Sequence, residues 1–162
     1  MNPRTFKRDL IRPGAVAMAI AICAALVLPG CDSAADIKFS KGYEAYQKGD
    51  FARALIEWQP LAEAGDARAQ YNLGIIYSEG RGVPRNPKLA VEWWQKAAAQ
   101  GHMRAHHNLA LAFISGDGGT KDYAAAIQHL KITADAGFAN SQYSLGKMLA
   151  EGLGAPKDDA LA

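Results

Sequence analysis

The chain has 162 residues, of which 49% are hydrophobic and 21% are charged, a composition typical of a folded protein domain. Its length favours a single domain. The formal net charge of +2 is uneven, because residues 1–30 carry +3 and residues 31–162 carry −1. The body of the chain therefore has no excess of basic side chains, and we expect no binding to nucleic acid.

The N-terminal segment, residues 1–30, has the pattern of a secretory signal peptide. A basic stretch, residues 1–12, precedes an uncharged run from Gly14 to Leu28. This run is shorter than the roughly 20 residues of a membrane-spanning helix, and it suits the hydrophobic region of a signal peptide. The sequence LPGC at 28–31 then resembles the bacterial lipobox, in which the cysteine is lipidated and becomes the first residue of the mature protein.

Lipidation of Cys31 is the interpretation that best accounts for the two cysteines. Cys23 would be removed and Cys31 acylated, which leaves the mature body without a thiol or a disulfide. Two alternatives remain open: cleavage by the general signal peptidase after residues 33–35, and an uncleaved anchor. We predict a lipoprotein signal peptide at 1–30 and a lipidated linker at 31–38, with the protein on the periplasmic face of the inner or outer membrane.

Three segments further along the chain repeat at intervals of 36 residues without a gap. GDARAQYNLGIIYSEGRGV begins at Gly65, GHMRAHHNLALAFISGDGG at Gly101 and GFANSQYSLGKMLAEGLGA at Gly137. Sequence repeats of this length indicate stacked supersecondary units. Apolar residues recur at helical spacing, so each unit is predicted to be a pair of helices, A and B.

The predicted repeat domain spans residues 39–162. In the unit that starts at Gly65, helix A runs from about Ala67 to Glu79 and helix B from about Lys88 to Gln100. The residue before each helix B, Asn86 in this unit, is of a type that caps open backbone amides. The segment before Gly65 has a shorter loop between its helices and is predicted to form a first hairpin. The predicted hairpins cover about 39–64, 65–100, 101–136 and, in part, 137–162.

This repeat resembles the Sel-one-like repeat (SLR), a relative of the tetratricopeptide repeat. The resemblance covers about residues 40–162 and implies an all-α fold, a right-handed α-solenoid of helix hairpins with a 36-residue repeat. The later copies depart mildly from the motif. In the second copy Ala110 replaces glycine, Phe113 replaces tyrosine and Gly119 replaces valine, and in the third copy Leu149 replaces tyrosine and Ala155 replaces valine. The residues that carry the motif in the unit starting at Gly65 are Ala69, Leu73, Gly74, Tyr77, Gly80, Gly82, Val83, Asn86, Ala90, Trp94, Ala97, Ala98 and Gly101.

Three of the four histidines lie within GHMRAHHNLA. His102 and His106 are four residues apart, so they would share one face if both were helical. Imidazoles are common zinc ligands, but no cysteine is available and the nearest carboxylates are distant in sequence. We therefore predict no metal site. His107 occupies the column of Tyr71, an aromatic position for which a structural role is predicted.

The resemblance implies that a partner would bind on the concave surface, which helix A lines in tetratricopeptide-like arrays. Arginine, asparagine and aliphatic side chains in the columns outside the core suit an extended peptide, since an amide can both donate to and accept from a peptide backbone. A face that is only solvated is the alternative. The predicted partner-binding residues on helix A are Arg68, Asn72, Ile75, Arg104, Asn108 and Leu111.

Trp93 is the seventh predicted partner-binding residue. Its column otherwise contains Glu57 and His129, and tryptophan in a polar column is typical of a contact residue. The alternative is that Trp93 covers a gap between repeats.

The sequence as a whole predicts a non-catalytic scaffold or adaptor that binds a protein partner at the bacterial cell envelope. It contains no G-x-S-x-G, H-E-x-x-H or Walker pattern, so no catalytic residue, cofactor or small-molecule substrate is expected. One alternative is a peptidoglycan binder that uses Trp93. Another is a β-lactam-binding or β-lactam-hydrolysing enzyme, since some cysteine-rich SLR proteins have that link, but this chain lacks their paired cysteines.

Overall fold

The computed structural model describes residues 33–154; the predicted signal peptide, Cys31 and residues 155–162 lie outside them. The described residues form helices joined by short loops. None of these helices is long and apolar enough to cross a membrane. The helices are α1 (Ala34–Gln47), α2 (Phe51–Glu63), α3 (Ala67–Glu79), α4 (Pro87–Ala98), α5 (Met103–Ser115), α6 (Tyr123–Asp135) and α7 (Ala139–Glu151).

The helices pack in sequence order, as a solenoid requires. Helices α1 and α2, α3 and α4, and α5 and α6 form three hairpins, and α7 packs on α6. Buried apolar side chains form three clusters along the array, which include Leu73, Leu109 and Leu130 respectively. The prediction of an all-α repeat fold is confirmed. Helices α3 and α4 lie within two residues of the bounds predicted for helices A and B.

Helix α1 begins earlier than the sequence pattern predicted. Residues 34–38 were predicted to belong to a linker, but the structure places them in the first turns of α1. Contacts from later in the chain account for this difference. Arg68 forms an ion pair with Asp36 at 2.9 Å, and the Trp58 indole donates to the Phe39 carbonyl at 3.1 Å. Neither contact could be predicted from the spacing of apolar residues within α1.

The residues predicted to cap helix B do so at the starts of α4 and α6. Asn86 accepts a hydrogen bond from the Leu89 amide at 3.1 Å, and Asp122 accepts one from the Ala125 amide at 2.9 Å. A side-chain oxygen in this position satisfies one of the amides that a helix start leaves open. The corresponding Asp158 lies outside the described residues.

The paired glycines of the A–B loops have two different functions. Gly116 ends α5 in the left-handed conformation with φ of 82°. Gly118 also has positive φ, and a Cβ added to it would lie 3.1 Å from the Pro87 carbonyl oxygen and 3.0 Å from Val91 of the preceding hairpin. The first glycine therefore terminates helix A, while the second lets the loop approach the neighbouring repeat.

A tryptophan in helix B packs directly on a glycine in helix A. The Trp94 indole lies over Gly74, where an added Cβ would overlap the ring, and its Nε1 donates to the Tyr71 carbonyl at 3.2 Å. Trp58 packs on Gly42 in the same way in the first hairpin. These contacts set the close approach of the two helices in each of the two hairpins.

Candidate partner-binding cleft

A cleft of about 770 Å³ lies between α3 and α5 in the described part of the chain, and Trp94 of α4 also lines it. Arg85 and Asp117, from the loops that follow α3 and α5, form an ion pair at 2.9 Å beside it. This ion pair joins successive A–B loops and bounds one end of the cleft.

A second depression of about 400 Å³ lies at the N-terminal ends of the same two helices. Phe39 and Tyr43 of α1 line one side, and Phe138, just before α7, lines another. Tyr71 of α3 lines both depressions, so the two form one surface that follows the axes of α3 and α5. We refer to this combined surface as the A-helix cleft.

The structure brings together six of the seven residues predicted to bind a partner. The smaller depression contains Arg68, Asn72 and Arg104, and the larger one contains Ile75, Asn108 and Leu111. Leu111 is 44% exposed, a large fraction for a leucine in a folded domain. The columns derived from the 36-residue period therefore correspond to one surface of the molecule. Their part in binding stays a prediction.

The two arginines of the smaller depression differ in their electrostatic environment. Arg68 forms ion pairs with Asp36 at 2.9 Å and Asp66 at 2.7 Å, and its guanidinium lies 4.5 Å from the centre of the Phe39 ring. Hydrogen bonds to both carboxylates raise the pKa of Arg68 above its ordinary value. Arg104, by contrast, is exposed and has no carboxylate within ion-pair distance among residues 33–154.

Asn72 and Tyr71 contribute an amide and a hydroxyl group to the lining of the cleft. Asn72 is partly exposed and its amide makes no hydrogen bond to another described side chain or backbone group. The pKa of Tyr71 is raised, because burial disfavours the phenolate more than nearby Arg104 and Asn108 favour it. The Tyr71 hydroxyl is therefore a neutral group at physiological pH, able to donate as well as accept.

Trp93 does not lie in this cleft. It is only 9% exposed, belongs to the same buried cluster as Trp58 and Leu73, and has the Lys96 ammonium 3.9 Å from a ring centre. Its burial favours the alternative interpretation, a side chain that fills the gap between repeats. The ring offers little surface to a partner, so the peptidoglycan hypothesis loses the residue on which it depended.

The spacing of His102 and His106 suggested that they share one helix face, but the structure places only His106 within a helix. His102 precedes α5 as its N-cap, where it accepts from the Ala105 amide at 3.3 Å and stacks on Tyr71 with ring centres 4.6 Å apart. The helical i, i+4 argument therefore does not apply to His102 and His106. Within residues 33–154 no group of three or more histidine, cysteine or acidic side chains is arranged to hold a metal ion.

His106 and His107 instead make contacts that join helices. The Nδ1 atoms of His106 on α5 and His129 on α6 lie 2.8 Å apart, so one ring donates and the other accepts. His107 lies 2.8 Å from the hydroxyl of Ser141, a buried residue on α7. These hydrogen bonds account for the placement of both histidines, and the contact of His107 supports the structural role predicted for it.

Sequence reasoning missed the aromatic residues that α1 contributes to the cleft. Phe39, Tyr43 and Tyr46 recur at i, i+4 and i+7, which places them on one helix face. Tyr43 is 50% exposed. The loop between α1 and α2 is shorter than the loop of the next hairpin, so these residues fall outside a strict 36-residue alignment. Helical spacing of aromatic residues was the signal that could have found them.

Comparison with known proteins identifies the repeat. The Sel1 repeat profile matches residues 67–102, 104–138 and 139–162, which is more than half of the chain. The chain belongs to the Sel1 repeat family. Sel1 repeat proteins bind protein partners and generally act as protein–protein interaction scaffolds, and their fold is typically non-catalytic.

Solved structures of Sel1 repeat proteins superpose well on this one. A Sel1 repeat protein from Oxalobacter formigenes has a TM-score of 0.70 at 28% identity, over 74% of this chain and 49% of that chain. The protective antigen c5321 of uropathogenic Escherichia coli, which has an SLR fold, has a TM-score of 0.75 at 32% identity, over 78% of this chain and 28% of that chain.

One further similarity shows only the fold, and another covers only a short segment of the chain. Cysteine-rich protein B of Helicobacter pylori has a TM-score of 0.55 at 13% identity, over 70% of this chain and 98% of that chain, which shows the fold alone. DAP3-binding cell death enhancer 1 of Rattus norvegicus is 40% identical over 50 residues, 31% of this Sel1 repeat protein. That alignment spans 10% of the rat protein's length.

Proposed function

We propose that this Sel1 repeat protein is a non-catalytic scaffold that holds an extended segment of a protein partner in the A-helix cleft. The observation that supports this most is the convergence of Asn72, Arg104, Asn108 and Leu111 on one continuous surface. A groove of this kind combines apolar contact with a few placed polar groups, as binding sites commonly do. The neutral amides supply hydrogen bonds to a peptide backbone, and the aliphatic side chains supply buried area.

Capture from detergent-solubilised membranes of the native source tests the scaffold function. We expect the wild-type chain to retain a partner that the triple variant Asn72→Ala/Arg104→Ala/Asn108→Ala recovers about tenfold less well, because removing several contacts at the centre of an interface weakens binding by at least that factor. All three side chains are at least partly exposed, so the variant is expected to fold, which circular dichroism would verify.

The matched control for this capture substitutes residues on the B helices, away from the cleft. Glu92 on α4 and Lys131 on α6 are exposed residues of helix B and lie outside the cleft. The variant Glu92→Ala/Lys131→Ala should recover the partner as the wild type does. Equal recovery by the cleft variant and the control would contradict a binding site between α3 and α5.

We further propose that a lipid on Cys31 holds the scaffold at the bacterial cell envelope, on the periplasmic face of a membrane. The support is in the sequence: a basic N-terminal segment, an uncharged run from Gly14 to Leu28, and LPGC at 28–31. Several acyl chains on one residue anchor a protein far more firmly than one chain does. An anchored scaffold would concentrate its partner near the membrane surface.

Cell fractionation of the Cys31→Ser variant tests the anchor. We expect the wild type in the membrane fraction, with a mass increase from acylation at Cys31, and the variant without that modification. The substitution removes the only sulfur that can be acylated after cleavage, because Cys23 precedes the cleavage site. Cys23→Ser is the matched control and should leave the lipid in place. An unmodified Cys31 in the mature wild-type protein would rule the lipoprotein assignment out.

A further inference from the structure

The A-helix cleft contains one charged side chain that nothing else in the described part of the chain neutralises. Four of its charged lining residues have a partner of opposite sign. Arg68 pairs with Asp36 and Asp66, Glu79 pairs with Arg81, and Arg85 and Asp117, which both line the cleft, pair with each other. Arg104 is exposed and makes no ion pair within residues 33–154. Among the charged residues that line the cleft, Arg104 on α5 is therefore the one without an ion-pair partner within residues 33–154.

An exposed aliphatic side chain lies at a fixed distance from this charge. Leu111 follows Arg104 by seven residues on α5, which is two helical turns, so both side chains project from the same face about 10 Å apart along the axis. Leu111 is 44% exposed, and Ile75 of α3 lines the same depression from the other side. Asn108 lies between them on that face and can bond to a backbone that passes over it.

We propose that the segment bound in this cleft carries an acidic side chain and an aliphatic side chain three residues apart. The carboxylate would pair with Arg104, and the aliphatic group would lie between Ile75 and Leu111. In the extended polyproline II conformation, residues i and i+3 fall on one face about 9 Å apart, which matches the spacing on α5. This inference rests on the proposed function, since it names the class of partner segment for the same cleft.

The pairing at Arg104 is expected to select between partners more than to provide most of the affinity. Both charges remain near solvent, where an ion pair typically contributes about 0.2–1 kcal/mol and is weakened by salt. An affinity change of about 1.4-fold to fivefold is therefore expected when either charge is removed. Like charges are repelled by the same amount, so a basic residue in place of the acidic one would be selected against.

Selection from a display library of random 12-residue peptides tests this inference. The full-length chain, immobilised in mild detergent, is compared with its Arg104→Gln and Leu111→Ser variants. We expect the wild type to enrich peptides with Asp or Glu three residues from Leu, Ile or Val. Arg104→Gln should lose the acidic preference and keep the aliphatic one, and Leu111→Ser should do the reverse. Added salt should weaken the wild type more than Arg104→Gln.

Lys131→Gln is the matched control, because Lys131 is an exposed cation on α6 that lies outside the cleft. It removes one positive charge, as Arg104→Gln does, and should keep the acidic preference. An unchanged acidic preference in Arg104→Gln, or enriched peptides without an acidic residue, would overturn the inference. A spacing of seven residues would indicate a helical occupant and would also overturn it.

The outcomes separate this inference from the proposed function. Peptides that bind the wild type, lose binding in Leu111→Ser and share no acidic residue would leave the scaffold in place and refute only the inference. No enrichment by the wild type, or enriched peptides that bind all cleft variants equally, would refute both. Concentration-dependent self-association in light scattering, abolished by Arg104→Gln, would show a second copy as the occupant and refute the inference as well.

Discussion

Replacing Gly74 by alanine is expected to destabilise the protein by about 1–3 kcal/mol, the usual effect of inserting a methyl group into a packed core. The added Cβ would overlap the Trp94 indole, which is 7% exposed and held by its hydrogen bond to the Tyr71 carbonyl. Alanine favours a helix over glycine by about 1 kcal/mol, so any destabilisation must arise from this contact. Gly42→Ala should behave alike, because Trp58 packs on Gly42 in the same way.

Replacing Trp94 by leucine should remove the destabilising effect of Gly74→Ala. The next hairpin has Ala110 where this one has Gly74, and Leu130 where this one has Trp94, and both residues are fully buried. A smaller side chain on helix B thus accompanies a larger one on helix A. In the Trp94→Leu background, Gly74→Ala is therefore expected to be neutral or stabilising, although Trp94→Leu alone costs stability.

Urea denaturation of the four proteins in this double-mutant cycle measures the coupling directly. Trp58 remains in every variant as a fluorescent reporter. Equal effects of Gly74→Ala in the wild-type and Trp94→Leu backgrounds would contradict the packing argument. They would show that the glycine is required for some reason other than the tryptophan that lies over it.

The helices themselves could be predicted because their signals are local. A period of 36 residues, apolar residues at helical spacing and a capping residue before helix B defined α3 and α4 to within two residues. The start of α1 could not be predicted in this way. Its first turns are held by Trp58 of α2 and Arg68 of α3, which come later in the chain. Tertiary contacts extend a helix beyond the residues whose pattern specifies it.

The cleft was partly predictable for the same reason. Columns of a repeat share a face, so the period alone grouped Asn72 with Asn108 and Ile75 with Leu111. The period also grouped Arg68 with Arg104, but it could not show that two carboxylates, one of them on α1, neutralise only Arg68. Nor could it show that Trp93 points into the core, because its column holds polar residues in the other units.

The histidine pair shows a further limit of sequence spacing. His106 and His129 belong to different helices and to different columns of the repeat, so no periodic argument relates them. Their contact depends on how α5 and α6 pack within one hairpin. Phe113 stacks on His129 with ring centres 5.8 Å apart and covers the pair from α5. This environment has a measurable consequence for the stability of the fold.

Stability is expected to fall as the pH is lowered from 7.5 to 5.5. Burial lowers the pKa of all four histidines, His102, His106, His107 and His129, below the ordinary value of 6.5. Nearby positive charge lowers two of these pKa values further. Arg104 and His106 act on the pKa of His102, and His106 acts on that of His129. Below pH 6.5 the unfolded chain therefore binds more protons than the folded one, and stability decreases as the pH falls through this range. All four groups act in the same direction, so their contributions add.

The pair of His106 and His129 should contribute a large share of this dependence, because two protonated rings cannot keep their Nδ1 atoms 2.8 Å apart. Urea denaturation at pH 7.5 and 5.5 should show a smaller loss of unfolding free energy for His106→Gln/His129→Gln than for the wild type. Asp66 does not affect this pH range, because its pKa lies below the ordinary value of 3.8. Partial burial raises that pKa, but the hydrogen bonds from Arg68 and the Ala69 amide together lower it by more. An equal loss in both proteins would show that the pair is not the origin, and His102 and His107 would then account for the slope.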